Sequence, residues 1–374
     1  MFLKNHFVLQ ETITMMTESM VIKNDIALIK GKLSRNLLMD PIVSNSYFLE
    51  DGDTAIIFDP SCGKRIAKKI EAHIQSRKKA QSPWNKAVII AGHSHIDHAN
   101  NFYLIDLLEA KENHIYVHEE GFEKGRVKNE PVPFMENVIR ETREYYNVYR
   151  SFPVPYNLIV SPMVLIDAIS PYLARKIFSH IGGIPWSLPR NGSLEPEPLK
   201  ESNLQGFMFG DLELRGWALD GKFVLPTPGH SECSVSLFWP EKKALFISDA
   251  DWIGNPVFVS SSLRDCVNSL KMMRDTTEME MVDVLLPAHG AVKEGKETII
   301  TYLDFHIHRL EVMKNEIISA YYRCGQNKDI LTLTKFLTQE SPLFKTYKII
   351  NYPRFVAFVH NIIAVCLKEE GILD

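Results

Sequence analysis

The chain has 374 residues, of which 45% are hydrophobic and 24% charged, and it carries a formal charge of -4. That is an ordinary globular composition with room for one large domain or two, and it offers no general attraction to nucleic acid or anionic membranes. The five cysteines, Cys62, Cys233, Cys266, Cys324 and Cys366, are scattered, odd in number and never paired as C-x-x-C. This argues against a disulfide framework or zinc knot and for reduced thiols.

At the N-terminus, Asn5, His6, Gln10 and Glu11 interrupt the apolar residues before a signal-peptide core can form, so a cytoplasmic location is expected. Short strands follow at Ile26 to Ile29, Ser46 to Leu49 and Ala55 to Phe58. The last two flank Asp51-Gly52, a hairpin signal, and Asp59-Pro60 ends the hairpin. Lys64 to Lys79 reads as a helix with Ile66, Ile70 and Ile74 on one face; its basic residues form a solvated face rather than a nucleic-acid patch.

The apolar run Ala87 to Ile90 reads as a buried strand, and Gly92 marks its end. His93-Ser94-His95-Ile96-Asp97-His98 then puts three imidazoles and a carboxylate within six residues. Such crowding beside a buried strand is costly unless a cation is present. His93 and His95 point to one side and Asp97 and His98 to a neighbouring point, so two ions can be served. Nitrogen and carboxylate ligands suit zinc first, then iron or manganese. A helix is expected over Asn101 to Lys111 and a strand at Ile115 to Val117, completing an α/β order.

Between residues 119 and 204 the texture changes to recurrent prolines with interleaved aromatics. Charged residues and prolines break the apolar stretch from Tyr156 to Gly182, so no run of about 20 apolar residues exists to span a membrane. The segment reads as a largely helical, lid-like insertion covering one side of the metal site, with packing elaboration as the alternative. Tyr156 and His180 on it, and Trp252 beyond it, are expected substrate contacts.

Strands resume at Phe207 to Phe209, Leu212 to Trp217, Phe223 to Leu225, Val235 to Phe238, Ala244 to Ile247 and Val284 to Leu286. His230 follows on the proline-stiffened turn Pro226-Thr227-Pro228-Gly229, Asp249 follows Ser248 at a strand end, and His289 follows Pro287-Ala288. Ser262-x-x-Asp265 opens a helix burying Val267, Leu270 and Met273. Three helices are expected beyond Lys296: Glu297 to Cys324, Ile330 to Gln339 and Arg354 to Glu370. From Lys296 onward, ten Lys and Arg face nine Asp and Glu, without the basic excess usual in a nucleic-acid reader.

The strand-end ligands sort as His93, His95 and His230 for one ion and Asp97, His98 and His289 for the other, with Asp249 between them. Two divalent ions sharing a water can hold it as hydroxide while one polarises the bond under attack, and Asp97 can orient that hydroxide. With the aromatic insertion, the expectation is hydrolysis of an ester, thioester or lactone of a small, partly apolar molecule. Phosphodiester hydrolysis on RNA and a metal-holding binding or regulatory protein with little turnover are the alternatives.

The motifs His-x-His-x-Asp-His at 93 to 98, Thr-Pro-Gly-His-Ser at 227 to 231, Ser-Asp at 248 to 249 and Pro-Ala-His-Gly at 287 to 290 resemble those of the metallo-β-lactamase superfamily. The resemblance implies an αββα sandwich over residues 20–295, with 119–204 inserted, and a dinuclear site at the sheet edge. Its five histidines and two aspartates are similar to the glyoxalase II type; no cysteine takes a ligand position, which argues against β-lactam hydrolysis. Asn100-Asn101 departs from the Gly-Gly of many relatives, and Asp251 competes with Asp249 as the carboxylate. Residues 296–374 form a helical extension with a weaker likeness to a winged-helix-like module. Packing on the sandwich or a homodimer interface is the alternative role.

Overall fold

The computed structural model describes residues 19–23, 25–31, 43–62, 64–80, 83–95, 97–125, 194–256, 258, 261–349 and 353–373. Its central strands are apolar on both faces because each lies between two cores. In Ile26–Ile29 (β2), Ile26 and Leu28 face one core while Ala27 and Ile29 face another. The period-two alternation of a strand makes this division automatic.

The first sheet holds Ser19–Lys23 (β1), β2, Ser46–Asp51 (β3), Thr54–Phe58 (β4), Lys86–Ile90 (β5), Glu112–His118 (β6) and Glu197–Leu199 (β7), in that order. β1 to β4 pair antiparallel and β4 to β7 parallel. The second sheet holds Gln205–Phe209 (β8), Leu212–Leu219 (β9), Lys222–Pro226 (β10), Val235–Trp239 (β11), Ala244–Ser248 (β12), Val284–Pro287 (β13) and Lys293–Glu294 (β14), again neighbouring in chain order. Its pairs are antiparallel except β12 with β13.

Between the sheets, Leu28, Tyr47, Phe58 and Ile90 meet Trp217, Leu237, Phe246 and Leu286. Lys64–Ala80 (α1) and Leu104–Leu108 (α2) cover the outer face of the first sheet through Ile66, Ile70, Ile74 and Ile105. Leu263–Glu278 (α4) and the start of Lys296–Arg323 (α5) cover the second through Leu270, Met273, Leu303 and Leu310. The layer order is therefore helix, sheet, sheet, helix, as the motifs imply.

Some boundaries differ from the sequence reading. α2 ends at Leu108 because Glu109 takes a left-handed conformation with φ 52°, and it begins only at Leu104. The Asn101 side chain instead donates to the carbonyls of Pro60 and Ser61, both at 3.1 Å. Within the 119–204 stretch, Glu119–Gly125 (α3) follows β6 directly and β7 returns parallel to it, so both ends join the sandwich. Residues 126–193, with Tyr156 and His180 and the expected lid, lie outside the described residues.

The described elements of the C-terminal region are all helices: α5, Ile330–Glu340 (α6), Pro342–Ile349 (α7) and Pro353–Glu369 (α8). Met313, Ile317, Leu333, Leu337, Phe344 and Ile363 form its own core. Among the described residues no helix is long and apolar enough to cross a membrane.

Two histidines buried in this region carry a pH prediction. Burial, then Arg309 and Lys293, push His306 down to about 3, and burial pushes His360 down to about 4 although Asp329 opposes it. A folded-state pKa below the unfolded value means stability fully present above about pH 6.5 and lost as the pH falls toward the folded value. Between pH 8 and 5 each should cost about 2 kcal/mol in metal-free protein, by the linkage relation. Urea midpoints of the parent and of a His306→Leu, His360→Leu double variant test this. The variant should lack about 4 kcal/mol of the acid loss, and equal losses would refute the assignment.

Candidate metal centre

β4 and β5 run parallel in the first sheet, and β10, β12 and β13 share a direction in the second, so the polar residues after their apolar runs gather at one edge. Backbone bonds tie the ends together: Asp59 N donates to Ile90 O at 2.9 Å, Val235 N to Gly92 O at 2.7 Å, and Ala288 N to Ser248 O at 2.9 Å.

Two donor groups form there, one of His93, His95 and His230 and one of Asp97, His98, Asp249 and His289. In the first, His93 Nε2 lies 2.9 Å and His230 Nε2 3.0 Å from His95 Nδ1. Tetrahedral zinc ligands at about 2.0 to 2.1 Å would sit about 3.4 Å apart, so the three nitrogens converge at nearly the spacing a cation needs. In the second, Asp97 Oδ2 lies 3.2 Å from His289 Nε2 and 3.5 Å from His98 Nε2.

Asp249 reaches both groups. Its Oδ2 is 3.4 Å from His98 Nε2 and 3.5 Å from His230 Nε2, and its Oδ1 is 3.4 Å from His289 Nε2. Asp251 turns away and accepts a hydrogen bond from Tyr302 Oη at 2.5 Å.

The residues fit a metal by an internal test. Buried polar atoms are normally partnered, yet His98 Nε2 and Asp249 Oδ1 are buried without a hydrogen-bond donor or acceptor. Both face the gap a cation would fill. The titration behaviour agrees. Burial, reinforced by neighbouring imidazoles, holds His93 well below its ordinary pKa and His95 at about 3, leaving neutral rings with free lone pairs. For His98 and His289 burial acts downward too, but the facing carboxylates outweigh it and raise both. Asp97 and Asp249, despite burial, are held low by the facing imidazoles.

In the first sheet's motif, the rings of His93 and His98 are aimed by a contact on the outer nitrogen, the usual way a metal-binding histidine is oriented. His93 Nδ1 lies 3.2 Å from Ser248 Oγ, and His98 Nδ1 lies 3.0 Å from Asp59 Oδ2. The fully buried Asp59 also accepts from Gly92 N at 2.6 Å and from Ser248 Oγ at 3.1 Å. Ser248 sits at φ 47°, uncommon for a residue with a side chain. Its hydroxyl is shared among Asp59, His93 and His98. Gly92 passes so close that an added Cβ would fall 2.3 Å from Ser248 Oγ.

The His289 loop is held from the other sheet. Asn45 N donates to Ala288 O at 2.7 Å, Asn45 Nδ2 to the carbonyls of Pro287 and Gly290, and Tyr47 Oη to Pro287 O at 2.7 Å. Aromatic rings line the His230 side: Trp252 is 5.5 Å from the His230 ring, and Phe258 is 4.3 Å from His95 and 5.3 Å from His230, centre to centre.

The seven residues expected from the sequence as ligands are thus brought together, and Trp252 stands beside them. Asp59, Ser248, Asn45 and Phe258 join the site without having been expected in it. Asp59 carries the same signal as Asp249, a carboxylate directly after an apolar strand, but Asp-Pro also reads as a turn.

A model of the family described as the metallo-beta-lactamase superfamily matches residues 39–282. No curated protein matches the sequence. Among solved structures, the chain is similar to a metallo-beta-lactamase family protein from Thermus thermophilus, at 16% identity and TM-score 0.52 over 94% of this chain and 95% of that one. It is also similar to the stereoselective inverting sec-alkylsulfatase Pisa1 from Pseudomonas sp., at 12% identity and TM-score 0.53. That likeness covers 94% of this chain but half of the sulfatase. At such identities these likenesses speak for the fold.

Proposed function

The chain belongs to the metallo-beta-lactamase superfamily, and on that premise we propose that it is a hydrolase using two divalent metal ions, most simply zinc, on an ester, thioester or lactone of a small, partly apolar molecule. The observation that carries this reading is Asp249, whose oxygens face nitrogens of both donor groups. Bound ions would supply Lewis acidity and water activated to hydroxide near neutral pH.

The chain's own residues do the rest. His93, His95 and His230 would hold one ion, and Asp97, His98 and His289 the other. Asp249 would lie between them and offset part of their charge. Asp97 is more exposed than the other carboxylate of the set, with 21% of its side chain accessible against 6% for Asp249. This greater exposure supports a role for Asp97 in orienting the attacking water and accepting its proton. Trp252 and Phe258 give an apolar flank, which favours a substrate with an apolar portion on the His230 side.

The test is turnover of a panel of ester, thioester and lactone substrates by protein with measured metal content, before and after chelation. We expect turnover that chelation abolishes and added zinc or another divalent ion restores. A protein loaded with two ions and inert toward the whole panel would contradict the reading.

A further inference from the structure

His230 is aimed by a residue outside both donor groups. Its Nδ1 lies 2.6 Å from Asn255 Oδ1, while Asn255 Nδ2 donates to the carbonyls of Asp249 at 2.8 Å and Ala250 at 3.2 Å. These two carbonyls fix which end of the amide is nitrogen. The oxygen can only accept, so the proton of His230 is on Nδ1 and the lone pair is on Nε2. Nε2 is the atom facing His95 and Asp249. Asn255 is buried, 1% exposed, and spans the space between a ring of one donor group and the backbone of a carboxylate that reaches both.

The loop bearing Asn255 is gripped from the C-terminal helices. Arg309 of α5 donates through Nη1 to Ile253 O at 2.7 Å and Asn255 O at 3.5 Å, and through Nη2 to Trp252 O at 3.4 Å. Only 7% exposed, its guanidinium caps nearby carbonyls of one turn and does not present itself to a polyanion. Tyr302, two turns earlier on α5, holds Asp251 at the start of the same loop. Planar, multiply donating arginine suits such a clamp better than lysine.

We propose that Asn255 is a positioning residue that sets the tautomer of His230 and locks it to the Asp249 backbone. Arg309 holds the loop that carries Asn255, so the helical C-terminal region is part of the framework of the metal site. The inference rests on the two donor groups holding two ions, as proposed above.

The experiment titrates metal-free, full-length protein with zinc against a chromophoric chelator and records the absorption spectrum of the cobalt(II) form. The parent is compared with Asn255→Ala, Asn255→Asp, Arg309→Met and Arg309→Lys. Asn255→Ala should weaken one zinc equivalent about 10- to 100-fold, as loss of an outer partner does, and shift the cobalt spectrum, leaving the other equivalent near its parental affinity. Asn255→Asp keeps the acceptor for His230 and loses the two donated bonds, so the same equivalent should weaken less. Arg309→Met should act on that equivalent too, with Arg309→Lys intermediate.

Parental affinities and spectrum in both Asn255 variants would overturn the proposal, as would equal weakening of both equivalents. If Asn255→Ala does not fold, Asn255→Asp decides by the same criteria. A parent that fails to take up two equivalents would instead refute the two-ion reading itself.

Discussion

If the proposed two-ion centre holds, Asp249→Ala is expected to reduce bound metal from two ions to one or none and to lower turnover on the order of 10³-fold or more, since the charge that would let two cations sit side by side is gone. The carboxylate is 5% exposed, and its oxygens lie 3.4 to 3.5 Å from nitrogens of His98, His230 and His289. Without it, two cations about 3.5 to 4 Å apart would face each other with one carboxylate fewer to offset their charge. An asparagine in its place would have the same shape without the charge, so Asp249→Asn separates electrostatics from packing. It should fold like the parent, judged by circular dichroism, yet bind metal nearly as poorly as the alanine variant. Two ions retained in Asp249→Asn would show that the carboxylate is not needed between them.

Asp59→Ala should produce the largest loss of stability in the site, although Asp59 belongs to neither donor group. Its carboxylate serves Gly92 N, Ser248 Oγ and His98 Nδ1 at 2.6, 3.1 and 3.0 Å, and it is wholly buried. Truncation leaves Gly92 N without its acceptor and strips the carboxylate from Ser248 Oγ and His98 Nδ1, which keep only each other and His93, at a cost of about 3 to 5 kcal/mol by analogy with breaking a buried charged pair. The backbone adds to it: Asp59 has φ 54°, a conformation aspartate tolerates better than alanine. Urea unfolding of metal-free protein measures the effect. The same variant should bind zinc about 10- to 100-fold more weakly, because the His98 ring loses its orientation. A loss below about 1 kcal/mol, the scale of an ordinary surface change, would mean the carboxylate is not the hub its contacts describe.

The seven candidate metal-binding side chains are readable because of how the sandwich buries its strands. β4, β5, β12 and β13 are covered on both faces, so they appear as unbroken apolar runs. A histidine or aspartate directly after such a run stands out. Asn255 has no such signal. Its role is defined by contact with a ring 25 positions earlier, and no periodicity or strand end announces it. α2 reads too long in the sequence because Phe102, Ile105 and Leu108 follow helical spacing, while Asn101 spends its side-chain bonds elsewhere and Glu109 leaves the helical conformation.

α7 is missing from the sequence reading although its start carries a signal. Ser341-Pro342 is a cap followed by proline at the first helical position, and Ser341 Oγ does accept from Phe344 N at 3.0 Å. β7 is three residues long with a proline in the middle, too little for a strand signal, and only pairing with β6 defines it. The helical C-terminal region is legible as helices but not in its bearing on the site. That depends on Arg309 reaching loop carbonyls 54 to 57 positions away, a contact of tertiary structure alone.

The most direct test of the proposed two-ion centre is anomalous X-ray diffraction at the zinc edge from crystals of the zinc-loaded protein. Two peaks about 3.5 to 4 Å apart are expected, one against His93 Nε2, His95 Nδ1 and His230 Nε2, the other against Asp97, His98 Nε2 and His289 Nε2, with the Asp249 carboxylate between. A single peak, or two peaks that leave either histidine group without metal, would contradict it.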